Sequence, residues 1–391
     1  MATRLRWLTR KTARTHGDHA EDRALTRSTV PPSMLADVPG AAVVNPRTAL
    51  QIADAYACIR ALSDAAGSLP LIAYRRTPTG RERLENRTAD LLARPAPATT
   101  QSGLIGQMVA HLNLYGNAYL GKFRDSEGLI DQLGLLHPDR VTVELHGGRP
   151  IYTITGLKGE RSIHGSDDVI HVKGLSTDGL VGLSPVKQCA VALGLSSNLT
   201  EHAARFFEND ARPSGIIKLD APGTVVPEDR LRSVAEAWTT GHAGVRNAHR
   251  IAVVTGLFDF QPVSMPPEDA QLLQQRELSA QEVARIFRVP PWIVGAKDGG
   301  SMTYSNTEQQ ALHFVTYSLR PWLVAIEQAL SADADLFIER TYCEFLLDAL
   351  LRADSATRAQ VYTAALDPET GWMTRQEVRR LENLQPESET A

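Results

Sequence analysis

Two hydrophobic periodicities divide this chain and exclude both an all-helical and an all-strand fold. Between Asn117 and Lys173, apolar and polar residues alternate with a period of two, which is typical of half-buried strands. The alternation predicts strands at 117–123, 129–136, 141–145, 151–155 and 168–173. On both sides of this block, apolar residues recur every three or four positions, as in helices that bury one face. Residues 45–180 are therefore predicted to form an α+β domain.

Capping residues and prolines mark the predicted helices. Ser184 and Pro185 begin one helix, because serine caps a helix and proline fits its first position. Capping-box spacing of Ser279 and Glu282 predicts a break in a later helix, and Pro321 predicts a kink in the one after it. The predicted helices are 48–67, 104–114, 185–209, 227–240, 266–289, 306–330, a segment from 346 onward and a short one from 374. Short strands are predicted at 71–74, 250–254, 257–260 and 336–345.

The charge balance and the cysteines exclude several classes of protein. The chain has 41 lysine and arginine residues against 45 acidic ones, a net charge of -4, which argues against gripping nucleic acid by bulk positive charge. The three cysteines, Cys58, Cys189 and Cys343, are scattered and form no zinc or dithiol motif, so a reducing compartment fits best. The longest apolar runs are only a few residues, so no membrane span is predicted.

Both ends of the chain are expected to be flexible. Residues 1–44 form a basic arm without the continuous apolar stretch of a secretory signal. Contact of this arm with nucleic acid or an acidic partner is a weaker alternative to a solvated terminus. Residues 384–391 are polar and acidic and predict a frayed tail.

Two short motifs resemble a phosphate-binding loop and a nucleophile elbow, but each lacks residues that its motif requires. Gly295 and Gly300 have the outer spacing of a phosphate-binding loop, but Ser301 and Met302 stand where the lysine and the hydroxyl residue belong. Ser184 lacks the second glycine of a nucleophile elbow, and its capping role explains it.

A metal site or an enzyme active site has no positive support either. His164, Asp167, Asp168 and His171 could in principle bind a metal ion. Two of them are predicted in a turn and two on a strand whose successive side chains face opposite ways, so surface and strand-end roles are preferred. The sequence therefore predicts no enzyme, no metal and no cofactor.

A series of short motifs follows one order along most of the chain. They are Tyr56-Ala-Cys-Ile59, Leu69-Pro-Leu71, Gly116-Asn-Ala-Tyr-Leu120, Leu136-His-Pro138, Asp178-Gly-Leu-Val-Gly-Leu-Ser-Pro185, Phe206-Phe-Glu-Asn-Asp-Ala-Arg-Pro-Ser-Gly215, Ala284-Arg-Ile-Phe-Arg-Val-Pro-Pro291, Tyr304-Ser-Asn306 with Glu308-Gln309, and Gly371-Trp-Met-Thr374 with Glu377 and Arg379. In this order they resemble the portal, or head-to-tail connector, proteins of long-tailed double-stranded DNA phages. One departure is Arg288, where such proteins usually carry glycine, and it puts a local turn in doubt.

The resemblance implies an α+β portal-type fold and a ring of identical subunits, usually twelve, at one capsid vertex. DNA would be packaged and later ejected through this ring. The implied regions are a flexible basic arm at 1–44, an α/β wing at 45–226, a stem helix at 227–242, a small β-containing clip at 243–263, a second stem helix at 264–294, a tunnel loop at 295–305, a kinked channel helix and returning wing strand at 306–345, a helical crown at 346–383 and a tail at 384–391.

The resemblance also implies site residues and partners. The tunnel loop that approaches DNA would comprise Lys297, Asp298, Gly299, Gly300, Ser301, Met302 and Tyr304. The clip residues that meet the motor or an adaptor would be Val245, Arg246, Asn247, His249, Arg250, Phe258 and Phe260. The implied partners are other copies of this chain, the terminase large subunit, a head–tail adaptor, the major capsid protein, scaffold and double-stranded DNA, with no membrane.

The implied location is the portal vertex of the virion, with host cytoplasm as the site of assembly. Two alternatives stay open at this point. One is another ring-forming capsid connector in which the loop at 295–304 has no tunnel role. The other is a metal-dependent nuclease, which metal-stimulated cleavage of DNA would distinguish.

Overall fold

The computed structural model describes residues 26–27, 44–78, 80–208, 215–219, 229, 232, 258–262, 268–295, 310–347 and 355–381. It confirms a mixture of helices and sheets. The helices are α1 Pro46–Ala49, α2 Ala53–Gly67, α3 Arg87–Ala93, α4 Gln101–Tyr115, α5 Pro185–Gln188, α6 Ala190–Glu208, α7 Glu268–Ile286, α8 Arg320–Ser331, α9 Ser355–Ala365 and α10 Arg375–Leu381. Short 3-10 helices lie at Pro138–Arg140 and Pro291–Val294, and a π-helical segment at Phe314–Leu319 precedes α8. None of the described helices has the length and apolar character needed to cross a membrane.

All strand pairs within the described residues are antiparallel, so each sheet can bury one face and expose the other. The strands are β1 Thr26–Arg27, β2 Leu71–Thr77, β3 Gly80–Arg83, β4 Asn117–Arg124, β5 Ile130–Leu136, β6 Val141–His146, β7 Arg149–Thr155, β8 Arg161–His164, β9 Val169–Lys173, β10 Gly215–Leu219, β11 Phe258–Pro262 and β12 Thr341–Phe345. They form sheets of order β12-β2-β3, β5-β4-β9 and β1-β6-β7-β8, and the pair β10-β11.

Helices α2 and α4 cross closely at the centre of the main core. A Cβ atom at Gly67 would lie 2.8 Å from the carbonyl oxygen of Ser102, and one at Gly106 would lie 3.3 Å from that of Ser63. At Gly67 any larger residue would force the two backbones apart, and at Gly106 a side chain would be a tight fit. Their buried apolar side chains are Ala55, Cys58, Ile59, Leu62, Ala66, Leu104, Ile105, Met108, Val109 and Leu112. Strands β2 and β4 and helices α7 and α8 pack their own apolar residues into the same core.

The five strands predicted between 117 and 173 are confirmed, and the structure adds β8 beside β7. Strand β3 and helix α3 also escape prediction from the sequence. All four residues of β3 are exposed, so it carries no alternating pattern, and α3 is only seven residues long. Strand β10 is not predicted either, because its sequence belongs neither to the alternating block at 117–173 nor to a predicted helix. The predicted strand at 250–254 lies outside the described residues, as does the helix at 227–240 except for residues 229 and 232.

Several predicted helices have different boundaries in the structure. The first begins as a separate helix, α1, because the side chain of Asn45 caps it and exchanges hydrogen bonds with Thr48. The helix at 185–209 is divided into α5 and α6 at Cys189, whose backbone is not helical. The predicted break at Ser279 is wrong, since α7 is continuous there and Ser279 is buried against the core.

The C-terminal elements also differ in length from their predictions. The strand at 336–345 is shortened to β12, because the Asp333 side chain accepts the backbone N–H of Leu336 at 3.2 Å and holds the preceding residues in a turn. Helix α9 begins at Ser355, and residues 348–354 lie outside the described part. The start of α10 is confirmed: the Thr374 N–H donates to Glu377 Oε2 at 2.7 Å, and the Glu377 N–H donates to Thr374 Oγ1 at 3.3 Å.

Arg288 occupies a turn that usually requires glycine. Its φ of 58° lies in the left-handed region. The Val289 N–H donates to the Ala284 carbonyl at 2.9 Å and the Arg288 N–H donates to the Arg285 carbonyl at 3.1 Å, the two bonds of a Schellman motif that ends α7. The turn itself is therefore formed, and the arginine side chain adds strain to it.

Replacing Arg288 with glycine should stabilise the protein. The left-handed conformation costs a non-glycine residue about 1–2 kcal/mol, and the greater unfolded-state entropy of glycine offsets part of this, so we expect a gain of about 0.5–1 kcal/mol. Urea unfolding followed by circular dichroism would measure it, with parent and variant in the same oligomeric state. The control is Arg285→Gly, at an exposed position within α7, which should destabilise by about 1 kcal/mol. Equal losses in both variants would contradict the prediction.

Candidate functional site

Of the predicted loop at 295–305, the structure describes only its first residue, Gly295. Residues Lys297 to Tyr304, which the sequence analysis assigns to it, lie outside the described part of the chain. The chain enters the loop from the 3-10 helix Pro291–Val294, and Gly295 ends that helix with a left-handed φ of 77°. The described chain resumes at Gln310, in the helical segment that leads to α8.

One hydrogen bond and a shared core hold these two ends together. The buried Ser318 hydroxyl donates to the carbonyl oxygen of Arg288, across the base of the loop. Phe287 and Val289 before the loop and Leu319 after it are all buried in the main core. The described residues on the two sides of the loop are therefore anchored to the same core.

A π-helical segment lies between the loop and α8. In it, the Arg320 N–H donates to the carbonyl oxygen of Val315, five residues earlier, so the helix is locally wide. Pro321 follows immediately and has no N–H to donate. π-Helical turns and prolines are both common causes of helix bending. His313, just before this segment, and Tyr317, within it, have exposed rings whose centres lie 5.7 Å apart.

The second predicted site is defined only at its base. Val245, Arg246, Asn247, His249 and Arg250 lie outside the described residues. Phe258 and Phe260 lie on β11, opposite Leu219 and Ile217 of β10. Because β10 and β11 pair antiparallel, the chain between them leaves and returns at adjacent positions. Phe258 and Phe260 are therefore at the base of this excursion, on a strand paired with one that the sequence analysis assigns to the wing.

Two of the sequence motifs meet at a buried junction. The Asn117 side chain donates from Nδ2 to the Gly182 carbonyl at 2.8 Å, and its Oδ1 accepts the Gly182 N–H at 2.7 Å. A Cβ atom at Gly182 would lie 2.0 Å from the Gly116 carbonyl oxygen, so glycine is required there. Ser184 caps α5 as predicted, and its hydroxyl also donates to the Leu114 carbonyl at 2.6 Å. These motif residues therefore connect the start of β4 to the loop before α5.

Three of the four residues considered for metal binding, His164, Asp168 and His171, form side-chain hydrogen bonds with each other or with neighbouring polar groups. His164 Nδ1 lies 3.1 Å from Asp168 Oδ2, and this hydrogen bond holds the pKa of Asp168 below its usual range. Asp168 lies in the turn before β9, not on the strand as predicted. His171 Nε2 lies 2.9 Å from Asn117 Oδ1, and burial lowers the pKa of His171 to about 3. No group of three potential metal ligands occurs among the described residues.

A buried ion cluster on β4 escapes prediction. Lys122 is only 2% exposed, and its Nζ lies 2.7 Å from Asp333 Oδ2 and 2.9 Å from Asp335 Oδ2. Arg124 Nη2 lies 2.6 Å from the same oxygen of Asp335. In sequence, a lysine within an alternating strand looks like an ordinary exposed residue. The only available signal is the Asp-Ala-Asp spacing at 333–335, directly after a helix.

Known proteins resemble the chain over nearly its whole length. A family model described as phage portal protein matches residues 53–383. A probable portal protein of Streptomyces phage phiC31 is 30% identical over 367 residues, which are 88% of this chain and 77% of that protein. The portal protein of Enterobacteria phage HK97 is 30% identical over 355 residues, which are 89% of this chain and 82% of that protein.

Solved structures share the fold. In the neck of an empty gene transfer agent particle, computed with C6 symmetry, a chain that is 25% identical superposes with a TM-score of 0.64 and covers 90% of this chain and 98% of its own length. An HK97-family phage portal protein from Corynebacterium diphtheriae, 18% identical, gives a TM-score of 0.57 over 81% of this chain and 99% of its own. The architecture is thus that of a head–tail connector. The chain belongs to the phage portal protein family, which is a structural family.

The lowered pKa of Asp335 gives the ion cluster a defined pH dependence. The hydrogen bond from Lys122 is its main cause, with that from Arg124 next. A carboxyl group whose pKa is lower in the folded state stabilises the fold above its unfolded value of about 4. This contribution is lost as the pH falls through the lowered folded value. The cluster therefore weakens in acid.

Neutralising one partner of Lys122 should destabilise the protein far more than breaking a surface pair. Asp333→Asn keeps an oxygen acceptor but leaves the buried ammonium with Asp335 alone, so we expect a loss of about 2–3 kcal/mol in urea unfolding. Arg60→Gln, in an exposed pair with Asp64, is the matched control and should cost no more than about 0.5 kcal/mol. Adding Lys122→Met to Asp333→Asn should recover part of the loss. Equal effects of Asp333→Asn and the control would refute this role of the cluster.

Proposed function

We propose that copies of this chain close into a ring of twelve at one vertex of a capsid, and that double-stranded DNA passes through the ring during packaging and ejection. Membership of the portal protein family is the observation that carries this proposal. A similar chain in the neck of a gene transfer agent particle, computed with C12 symmetry, supports the number of subunits. The location that follows is the virion, with assembly in the host cytoplasm.

The charge of the chain suits a passage for DNA. Each copy has a net charge of -4, so twelve copies would have about -48. Tight binding to DNA needs many neutralised phosphates, and a negatively charged ring would not provide them in bulk. DNA could then slide instead of sticking. Such passage requires no covalent chemistry from this chain, and we propose none.

The regional assignment is part of the same proposal. Residues 45–226 would form the wing, 227–242 and 264–294 the stem, 243–263 the clip and 346–383 the crown. The antiparallel pairing of β10 with β11 supports one excursion of the chain for the first stem helix and the clip. The bond between Ser318 and Arg288 supports a loop at 295–305 that projects from a closed base. The helix after it, with its π-helical segment, would line or support the channel.

The proposed partners follow from these regions. The clip, including Arg246 and Arg250, would dock the terminase large subunit during packaging and a head–tail adaptor afterwards. The loop residues Lys297 and Tyr304 would approach DNA, one as a phosphate contact and the other as a bulky contact. The major capsid protein and scaffold would surround the ring during assembly.

The mass and shape of the purified protein test the ring. Light scattering should give about 500 kDa, twelve times the chain mass of 42.7 kDa, and negative-stain images should show a central hole. A different closed ring would change the subunit number only. A protein that stays monomeric even when produced with its scaffold, and that cleaves DNA when a divalent metal is added, would overturn the proposed function.

Changes in the loop and in the clip should impair different steps, DNA packaging or retention in one case and capture of a protein partner in the other. Deleting residues 297–303 should leave the ring and its capture of terminase intact but impair DNA packaging or retention, because the closed base keeps the deletion away from the core. Arg246→Glu with Arg250→Glu should weaken capture of terminase or adaptor in a pull-down and leave the ring intact. Each variant serves as the control for the other. Loss of the ring after the loop deletion, or unchanged capture after the clip substitutions, would contradict the assignment.

A further inference from the structure

The sheet β12-β2-β3 buries one face and leaves the other without a partner among the described residues. Its buried side chains, which join the main core, are Leu71, Ala73, Cys343 and Phe345. The opposite face is set by cross-strand pairing of Arg76 with Arg81, Tyr74 with Arg83, and Tyr342 with Tyr74. Directly paired residues of an antiparallel sheet project to the same side. We call these five residues, Tyr74, Arg76, Arg81, Arg83 and Tyr342, the arginine face.

Two guanidinium groups of the arginine face are held against aromatic rings. The guanidinium carbon of Arg76 lies 5.0 Å from the ring centre of Tyr342, and that of Arg81 lies 4.7 Å from the ring centre of Tyr74. The two tyrosine rings are themselves 5.9 Å apart. A stacked guanidinium loses less conformational freedom when it binds an anion. The Tyr342 ring therefore preorganises the charge of Arg76, and the Tyr74 ring holds Arg81.

The charge of this face is only partly neutralised. Arg81 forms an ion pair with Glu344 of β12. Arg76 and Arg83 are exposed, and neither forms an ion pair with another described residue. The face thus presents two uncompensated positive charges on adjacent strands of a rigid sheet.

We propose that the arginine face binds the phosphate backbone of double-stranded DNA. Guanidinium groups match phosphate oxygens with two parallel hydrogen bonds, whereas lysine would offer a point charge. The tyrosine rings are covered by the arginines, so the face offers charge but little stacking surface. That combination favours the backbone of a duplex over unstacked bases. The inference rests on the proposed function, because a capsid vertex is where duplex DNA would be concentrated around this protein.

The experiment compares DNA binding by the full chain and by the double variant Arg76→Gln with Arg83→Gln. Fluorescence anisotropy of a short labelled duplex would be measured over about 50–200 mM salt. Loss of two phosphate contacts should weaken binding about five- to tenfold and reduce the slope of log affinity against log salt by about 2. Neither substitution touches the buried side of the sheet.

A matched control removes the same charge elsewhere. Arg149→Gln with Arg161→Gln changes two exposed arginines on β7 and β8, in a different sheet, and should leave the salt slope within error of the parent. Equal effects of the two double variants, or no duplex binding by the parent, would overturn the proposal. Poly-glutamate is the second probe. If its binding depends on Arg76 and Arg83 while duplex binding does not, the face binds an acidic protein and the proposal is wrong.

Light scattering of the same samples separates this inference from the proposed function. A ring that persists in both double variants, with unchanged affinity for the duplex, overturns only the role of the arginine face. A parent chain that forms no ring with its scaffold present overturns the proposed function itself.

Discussion

The buried ammonium group of Lys122 is the constraint on which the rest of the structure depends. It lies on β4, the central strand of its sheet, and an unpaired charge in a protein core is too costly to persist. Its two partners, Asp333 and Asp335, lie in the turn after α8. The cluster therefore ties this sheet to the turn after α8. This contact also fixes where β12 begins, and β12 completes the sheet that contains β2.

The other end of β4 is fixed by an uncharged contact of similar specificity. Asn117 uses its side-chain amide to hold both backbone groups of Gly182, and the backbones meet too closely for any side chain at that glycine. Strand β4 thus positions both the turn after α8 and the loop before α5. Because both contacts are buried and hydrogen-bonded, small shifts would leave polar groups unpaired. The framework around β4 is consequently held in place by buried polar contacts at both ends of the strand.

The sequence predicts the elements better than the contacts between them. Period-two alternation was sufficient for β4 to β7 and β9, since each buries one face. Strand β3 has no such alternation, because its four residues are all exposed. The break between α5 and α6 at Cys189 is not predicted either, because no proline or glycine marks it. The candidate loop and clip came from motif order, and the structure defines only their bases. The Lys122 cluster joins residues more than 200 positions apart, and no local pattern can report such pairs. Four residues of the arginine face lie close together in sequence on β2 and β3, but only the pairing of β2 with β12 brings Tyr342 to them.

In the proposed arrangement, a closed base would let a portal subunit combine a packed core with segments that contact DNA or a partner protein. For a flexible segment, the entropy cost of joining its ends grows only slowly with length, so long excursions cost little once the base is formed. Pairing of β10 with β11, and the bond between Ser318 and Arg288, supply that base from residues outside the excursions. In the proposed arrangement, changes between these bases would leave the packing of the main core unaltered. The burial that stabilises the fold is therefore separate in the chain from the loop and the clip proposed for function, whereas the arginine face lies on a sheet whose other side joins the main core.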